Sequence, residues 1–417
     1  MDATRRAALE ARGNERFAEA ASLWRVLLRR APDDWRAALE LKADLASGYH
    51  YSESDPLFRR AARSMPDEAW LSHYAGLWTF HTADLSYLAA RATALLAQRP
   101  GDSEVMLVLG NALLQQRRWA AAERHLARMP ATPDIAAKRA LAGLYRRLKR
   151  DLDCATATVP YEVALLNLDG NAGRRRDIER EFRHSRAPLT RIPAVRGSLL
   201  SAPAVRRLAG EAAVTMRGTL GCFLSHVAAW EWMLARGLAH CLVIEDDVVP
   251  QLSLPSGLDA LALPEGYDFC FVNDRMQPRW PAERVAASER FVAVPLAEAF
   301  ASFPAEDNAP GADGYLVSAA GARKLLAWVE EGGFAHDVDW RLLAYGLTDT
   351  ECAGLPRHSH AWGVLDVLRH LVGRPDRLRA YALHPALIRT VPISSDREDG
   401  NREATPHSSG SVVNSSG

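Results

Sequence analysis

Four prolines, Pro32, Pro66, Pro100 and Pro133, fall 34, 34 and 33 residues apart, and each is followed within two residues by an aspartate. A recurring period of this length constrains the first third of the chain more tightly than composition can. It describes a helix pair that cannot bury its apolar face alone and must stack on its neighbours. Small residues keep the same phase: Gly76 and Gly110 are 34 apart, and Ala20 and Ala122 share a position three periods apart. Between the prolines, residues 70–98 and 104–129 carry apolar side chains at i, i+3, i+4 and i+7, so each reads as a helix pair whose second helix ends at proline. Residues 134–149 (DIAAKRALAGLYRRLK) predict a terminal capping helix.

This pattern resembles the tetratricopeptide repeat over roughly 140 residues, in a degenerate form with Lys42 and Ser54 where small residues are usual. The resemblance implies a helical-repeat domain over residues 1–150 that binds a protein or peptide on its concave face. The competing reading is a structural cap on a second domain.

Near residue 155 the pattern changes to short apolar strands alternating with helices. YEVALLNLD (161–169) reads as a buried strand, RRRDIEREFRHS as a helix and HCLVIEDDVV (240–249) as a second buried strand ending in carboxylates. This alternation predicts an α/β domain with a mainly parallel sheet and ligands at the carboxyl ends of its strands. Neither G-x-G-x-x-G nor G-x-x-x-x-G-K-S/T occurs, which argues against dinucleotide and P-loop sites.

Glu245, Asp246 and Asp247 follow the apolar run 241–244 directly. Three adjacent acids at a strand end repel one another unless a cation or a basic residue sits among them. Alternate residues of an extended segment share a face, so Glu245 and Asp247 can turn together toward a hard cation such as Mg²⁺ or Mn²⁺, leaving sites open for phosphate oxygens. A solvated loop or a helix cap is the alternative for such a triplet taken alone.

Charge separates the two halves. Residues 1–150 hold 24 basic and 17 acidic side chains and residues 151–417 hold 27 and 34, so a net charge of zero conceals about +7 and −7. No basic excess remains to coat nucleic acid. The five cysteines (Cys154, Cys222, Cys241, Cys270, Cys352) are scattered and odd in number, which predicts reduced thiols. Cys222 and His226 are four apart, but no second pair accompanies them, so zinc is not expected there. The N-terminal stretch has no apolar signal region, and no apolar run approaches the ~20 residues of a membrane span. The expectation is a cytoplasmic protein without a transmembrane segment, with peripheral association at the inner face of the membrane as a compatible placement. Residues 396–417 are polar and predict a disordered tail.

Several separated segments then match one family in the same order: LLNLDGNAGRR (165–175), IPAVRG (192–197), RGTLGCFLSHVAAWEWML (217–234), LVIEDDVVP (242–250), GADGYLVSAAGARKLL (311–326) and DVDW (337–340). Over residues 158–395 the chain resembles glycosyltransferase family 25, which includes lipopolysaccharide-type and collagen galactosyltransferases. The resemblance implies a Rossmann-like α/β domain of the glycosyltransferase A type. It also implies a UDP-sugar donor, most commonly UDP-galactose, and a glycan or glycolipid acceptor such as lipopolysaccharide. Carried over by position, Asn167, Asp169 and Arg174 line the nucleotide pocket, and Ser225 and His226 lie near the donor. Glu245, Asp246 and Asp247 form the D-x-D-like motif, with Glu245 and Asp247 on the metal and Asp246 on the donor side. Gly314 and Tyr315 fall on a later strand, and Asp339 on an acidic position. The chain departs from the family pattern at Gly170, Gly173, Arg196 and Thr219.

Glycosyl transfer builds negative charge on a leaving nucleoside diphosphate, which a divalent cation can neutralise and orient. With the inverting stereochemistry the resemblance implies, a carboxylate must also accept the proton of the attacking hydroxyl. Asp339 is the candidate, with Asp337 and Asp313 behind it; the competing reading of D-V-D-W is a helix start with an acidic cap. Arg174 has its own alternative as a solvated helix charge, and His226, read at the start of an amphipathic helix, as a structural hydrogen bond. Three functions follow: a metal-dependent transferase with repeats that recruit acceptor or partner, a non-catalytic repeat scaffold with a decayed transferase domain, and, with least support, a metal-dependent phosphohydrolase. Under the first, removing residues 1–150 is expected to leave donor hydrolysis largely intact while impairing transfer to the natural acceptor.

Overall fold

The computed structural model describes residues 3–47, most of 57–75, 85–153, 161–303 apart from three single positions, 310–334, and 337–351 and 377–391 with one gap at 349. Ser54 and Gly76 of the repeat phase, and the predicted tail, lie outside these residues.

The first part is helical: α1 (Ala3–Gly13), α2 (Phe17–Arg30), α3 (Trp35–Ser47), a helical stretch over 67–75, α4 (Leu85–Gln98), α5 (Ser103–Gln115), α6 (Trp119–Leu126) and α7 (Pro133–Asp153). The Pro/Asp signature acquires a local cause here. Proline stops one helix and the following aspartate begins the next: Asp34 Oδ1 accepts from Ala37 N at 3.0 Å, and Asp102 Oδ1 from Glu104 N and Val105 N at 3.1 and 3.2 Å. The period is also expressed in the backbone. Glu15 and Arg117, three periods apart, are both left-handed (φ 58° and 60°). The residues after them, Arg16 and Arg118, share φ/ψ near −87°/62° and −85°/58°. Ala20 and Ala122, one turn further on, are fully buried.

The second part is built on a seven-stranded sheet in the order β2-β1-β3-β7-β5-β8-β6. The strands are β1 (Glu162–Asn167), β2 (Leu189–Pro193), β3 (His240–Ile244), β5 (Phe269–Phe271), β6 (Val292–Pro295), β7 (Gly314–Ser318) and β8 (Ala380–His384). β4 (Val248–Pro250) and β9 (Ile388–Thr390) form a separate antiparallel ribbon. The expectation of a mainly parallel sheet is corrected to a mixed one. β2-β1-β3 and β5-β8 are parallel, while β7 runs antiparallel between β3 and β5, and β6 antiparallel to β8. A fully buried apolar strand reads alike in both directions, so its sequence does not state its polarity. Four helices frame the sheet: α8 (Ala172–Glu181), α9 (Arg217–Ala235), α10 (Ala319–Gly332) and α11 (Val338–Tyr345).

The two parts share a core. Trp119, Leu144, Tyr145 and Leu148 of α6 and α7 are buried with the sheet residues rather than with the helical array. Trp119 and Tyr145 stack at 4.4 Å between ring centroids, and the Tyr145 hydroxyl donates to Ala386 O at 2.7 Å. Arg117, on the repeated left-handed turn, donates to Pro250 O at 2.9 Å and pairs with Glu181 at 2.8 Å. Arg147 donates to Ser288 O at 3.0 Å.

Candidate functional site

Strand polarity gathers the site. β1 and β3 run parallel and end together at Asn167 and Ile244, while β7 begins at Gly314 opposite Ile244. The triplet 245–247 therefore leaves the sheet beside Asp313, and Glu245 N donates to Asp313 O at 3.1 Å. Two residues later the chain enters the β4-β9 ribbon, where Val391 N donates to Asp247 O at 2.6 Å.

The three acids have different surroundings. Asp246 is satisfied by protein groups: Asn167 Nδ2 at 2.7 Å and an Arg174 guanidinium nitrogen at 3.1 Å. Asn167 is held in turn by Arg191, which donates to Asn167 Oδ1 and O, both at 3.0 Å, and also pairs with the exposed Asp169. Asn167, Asp169, Arg174 and Asp246 thus form one network at the end of β1, which buttresses the triplet from one side. Asp247 is the opposite case. Its Oδ1 is buried with no hydrogen-bond partner. Burial first, and then the negative charges of Glu245, Asp313 and Asp246, push its carboxyl well above the usual range, against the pull of Arg174.

Asp313 is buried beside it, and burial raises its carboxyl too, with Arg275 opposing. It accepts from Asn273 Nδ2 at 2.8 Å and from the Thr390 hydroxyl. Asp339 Oδ1 accepts from Ala312 N at 2.9 Å, so this buried carboxylate fixes the segment that delivers Asp313 to the site. Asp337 caps α11 by accepting from Asp339 N at 3.0 Å.

His226 is corrected from the start of a helix to its middle, because α9 begins at Arg217. Two glycines have a packing role at this helix. A Cβ on Gly221 would lie 2.5 Å from Val195 O and 2.6 Å from Gly197 N, and one on Gly197 would lie 1.7 Å from Arg217 O. Only bare backbone lets 195–197 lie against α9. Ser225 seals that contact, accepting from Val195 N at 2.8 Å and donating to Gly221 O at 2.7 Å. His226 reaches inward, with Nδ1 2.9 Å from the Tyr315 hydroxyl and Nε2 3.3 Å from Glu245 Oε1. Trp230 Nε1 donates to the same Tyr315 oxygen at 2.9 Å. Indole can only donate, so the buried Tyr315 proton goes to His226 Nδ1, and His226 presents Nε2–H to Glu245.

Sequence spacing gave Cys222 and His226 no third ligand, whereas the fold supplies Glu245. Cys222 Sγ, a His226 ring nitrogen and a Glu245 oxygen lie within 4.8 Å of one another, and they are the one such group among the described residues. Sequence reasoning also missed Asn273, Arg275 and Thr390. They come from a short strand end and a distant ribbon, and only the topology brings them to Asp313.

The arrangement is an acidic recess at the carboxyl ends of β1 and β3, with one buried carboxylate oxygen unsatisfied and flanked by two further acids. The chemistry of that donor set suits a hard divalent cation, which Asp247 and Glu245 would hold. Arg174 sits beside it with a planar cation suited to phosphate.

Comparison with known proteins places a family match over this part of the chain. The family model described as glycosyltransferase family 25 (LPS biosynthesis protein) matches residues 161–340. Procollagen galactosyltransferase 1 of Danio rerio is 28% identical over 181 residues, covering 40% of this chain and 28% of that protein. Inactive glycosyltransferase 25 family member 3 of Homo sapiens is 40% identical over 67 residues, covering 14% and 11%. A glycosyltransferase 25 family member of Anopheles gambiae is 34% identical over 118 residues, covering 24% and 20%. The chain spans less than a third of the length of these curated relatives.

Proposed function

Because the chain carries a glycosyltransferase family 25 domain over residues 161–340, we propose that it is a metal-dependent hexosyltransferase. It moves galactose from UDP-galactose to a hydroxyl of a surface-glycan acceptor such as lipopolysaccharide, with inversion. The observation that carries this reading is the unsatisfied, buried Asp247 Oδ1 among Glu245, Asp246 and Asp313.

Mn²⁺ or Mg²⁺ bound by Asp247 and Glu245 would supply charge neutralisation and orientation for the diphosphate. The chain's own residues do the rest. Arg174, anchored on Asp246, presents a planar guanidinium suited to a phosphate oxygen. His226 holds Glu245 in place through Nε2–H, and Tyr315 and Trp230 fix the ring. Asn167 and Arg191 keep the end of β1 open as the floor of the nucleotide pocket. Asp339 is the proposed acceptor of the hydroxyl proton, and Asp337 sets its helix. In this proposal the helical repeats recruit the acceptor or a protein partner. The family name and the galactosyltransferase relative support the donor class.

A second reading, a binding domain without turnover, draws on the relatives named inactive in human and rat. The two are separated by measuring donor hydrolysis and transfer over a panel of nucleotide sugars, with Mn²⁺ or with chelator, on the wild type and Asp247→Ala. Turnover that needs both the metal and Asp247 establishes the transferase. Donor binding without turnover establishes the second reading, and absence of donor binding overturns both.

A further inference from the structure

Four large apolar side chains are exposed among the described residues, and three of them, Leu199 (79%), Leu208 (40%) and Met216 (46%), lie within one stretch of eighteen. The stretch joins β2 to α9 and contains a short helix, Ala202–Ala209, which buries only Val205. Its charge is one-sided. Residues 196–217 hold Arg196, Arg206, Arg207 and Arg217 against the single acid Glu211. Arg206 is neutralised by Glu211, and Arg217 turns inward to Val214 O and Leu200 O. Arg196 and Arg207 are exposed and have no partner among the described residues. Exposed apolar side chains interleaved with unpaired arginines are what an anionic lipid surface selects: the apolar groups enter the headgroup boundary and the guanidinium groups meet phosphate.

The stretch is also tied to the site at both ends. Ala194 N donates to Asn167 O at 3.1 Å, Val195 N to the Ser225 hydroxyl, and Gly197 lies against Arg217. No described helix is long and apolar enough to cross a membrane. We propose that residues 196–216 dock this chain onto an anionic phospholipid surface through Leu199, Leu208, Met216, Arg196 and Arg207. Docking there places the acidic recess beside the bilayer, within reach of a lipid-anchored acceptor. That last consequence rests on the transferase reading, whereas the docking does not.

The test is co-sedimentation of the full chain with vesicles containing about one third anionic phospholipid, against wholly zwitterionic vesicles, at low and high salt. Binding is expected to the anionic vesicles only and to weaken with salt. Arg196→Glu/Arg207→Glu should lower the partition coefficient about thirty-fold, equivalent to about 1 kcal/mol per arginine removed. Leu199→Ser/Leu208→Ser/Met216→Ser should lower it by at least tenfold, with an unchanged far-UV spectrum because all three positions are exposed. Absence of vesicle binding overturns the proposal, as does binding that both variants retain. Concentration-dependent dimerisation in sedimentation velocity, abolished by the triple variant, would overturn it in favour of an interface between copies. Donor hydrolysis in solution, unchanged in both variants, keeps this result separate from any failure of the transferase reading.

Discussion

Asp247→Asn should make the metal-free protein more stable and the metal-loaded protein less responsive. In the absence of a cation, Asp247 keeps a buried carboxylate oxygen without a partner while Glu245 and Asp313 repel it. Leaving a buried polar group unsatisfied costs about 1–3 kcal/mol, and more when it is charged. Asparagine removes the charge and the repulsion at nearly constant volume. For a unit of this size about 1 kcal/mol corresponds to ~2–4 °C, so in chelator at pH 8 the variant should melt about 2–10 °C above the wild type. The sign with pH follows from the raised carboxyl. The folded state holds its proton to higher pH than the unfolded chain, so the penalty grows as pH rises from the unfolded value of 3.8, and the gap between the proteins narrows at pH 5. Mn²⁺ at a hundred times its dissociation constant should stabilise the wild type by about 2.7 kcal/mol and leave the variant nearly unmoved. Differential scanning calorimetry in chelator and in Mn²⁺ reads both effects. A variant less stable than the wild type in chelator, with an undiminished Mn²⁺ shift, would refute the assignment of Asp247 as a strained ligand.

Further outcomes are expected. Tyr145→Phe leaves Ala386 O without its 2.7 Å donor, which should cost about 1–2 kcal/mol; removing residues 1–150, expected from the sequence to spare donor hydrolysis, should instead cost far more because Trp119 and Tyr145 belong to the shared core, leaving a chain that aggregates on light scattering, and a soluble, active fragment would show that the helices are dispensable. His384 is buried against Trp280 with its ring held down to about 4, so stability present above pH 6.5 is lost as pH falls toward 4, by about 3 kcal/mol in all; urea unfolding of His384→Phe should show a shallower acid slope, and parallel slopes would sink the idea. Gly221→Ala should destabilise by about 1–3 kcal/mol through its clash with Val195 and Gly197, whereas Gly173→Ala, in open space on α8, should stabilise by about 0.5–1 kcal/mol; equal melting temperatures would remove the close-approach argument.

The proline period was legible because it acts locally: Asp34 and Asp102 cap the helices after Pro32 and Pro100, Pro133 opens its own helix, and the phase reappears in the turns at Glu15 and Arg117. The carboxylate triplet was legible for a similar reason, since an apolar run that ends in acids marks a strand end whatever its neighbours are. What was not legible depends on partners distant in sequence. Asp246 and Asp247 are adjacent and chemically alike, yet one is satisfied by Asn167 and Arg174 while the other is stranded. That difference comes from which strand lies alongside, and spacing does not encode it. His226 was misplaced because the helix begins nine residues before it, and Gly221 within that helix is small so that a second backbone can cross it.

The same long-range logic decides what the helical part does for the site. Tyr145 grips Ala386 O, and Gln277 Oε1 accepts from Ala386 N at 2.6 Å, which fixes the turn into β9 from both sides. Four residues on, Thr390 hydrogen-bonds Asp313, its amide donates to Asp274 Oδ1 at 3.0 Å, and Val391 N holds the backbone of Asp247. Arg117 meanwhile holds Pro250 O at the end of β4, the ribbon's other strand. The helices thus clamp both strands of the ribbon that supports Asp247 and Asp313. A donor set that must be held to about 0.5 Å needs such backing. A helical array that only recruited a partner would have no reason to share its last tryptophan and tyrosine with the core beneath the carboxylates. The basic and acidic halves of this chain therefore divide at a charge boundary but not at a mechanical one.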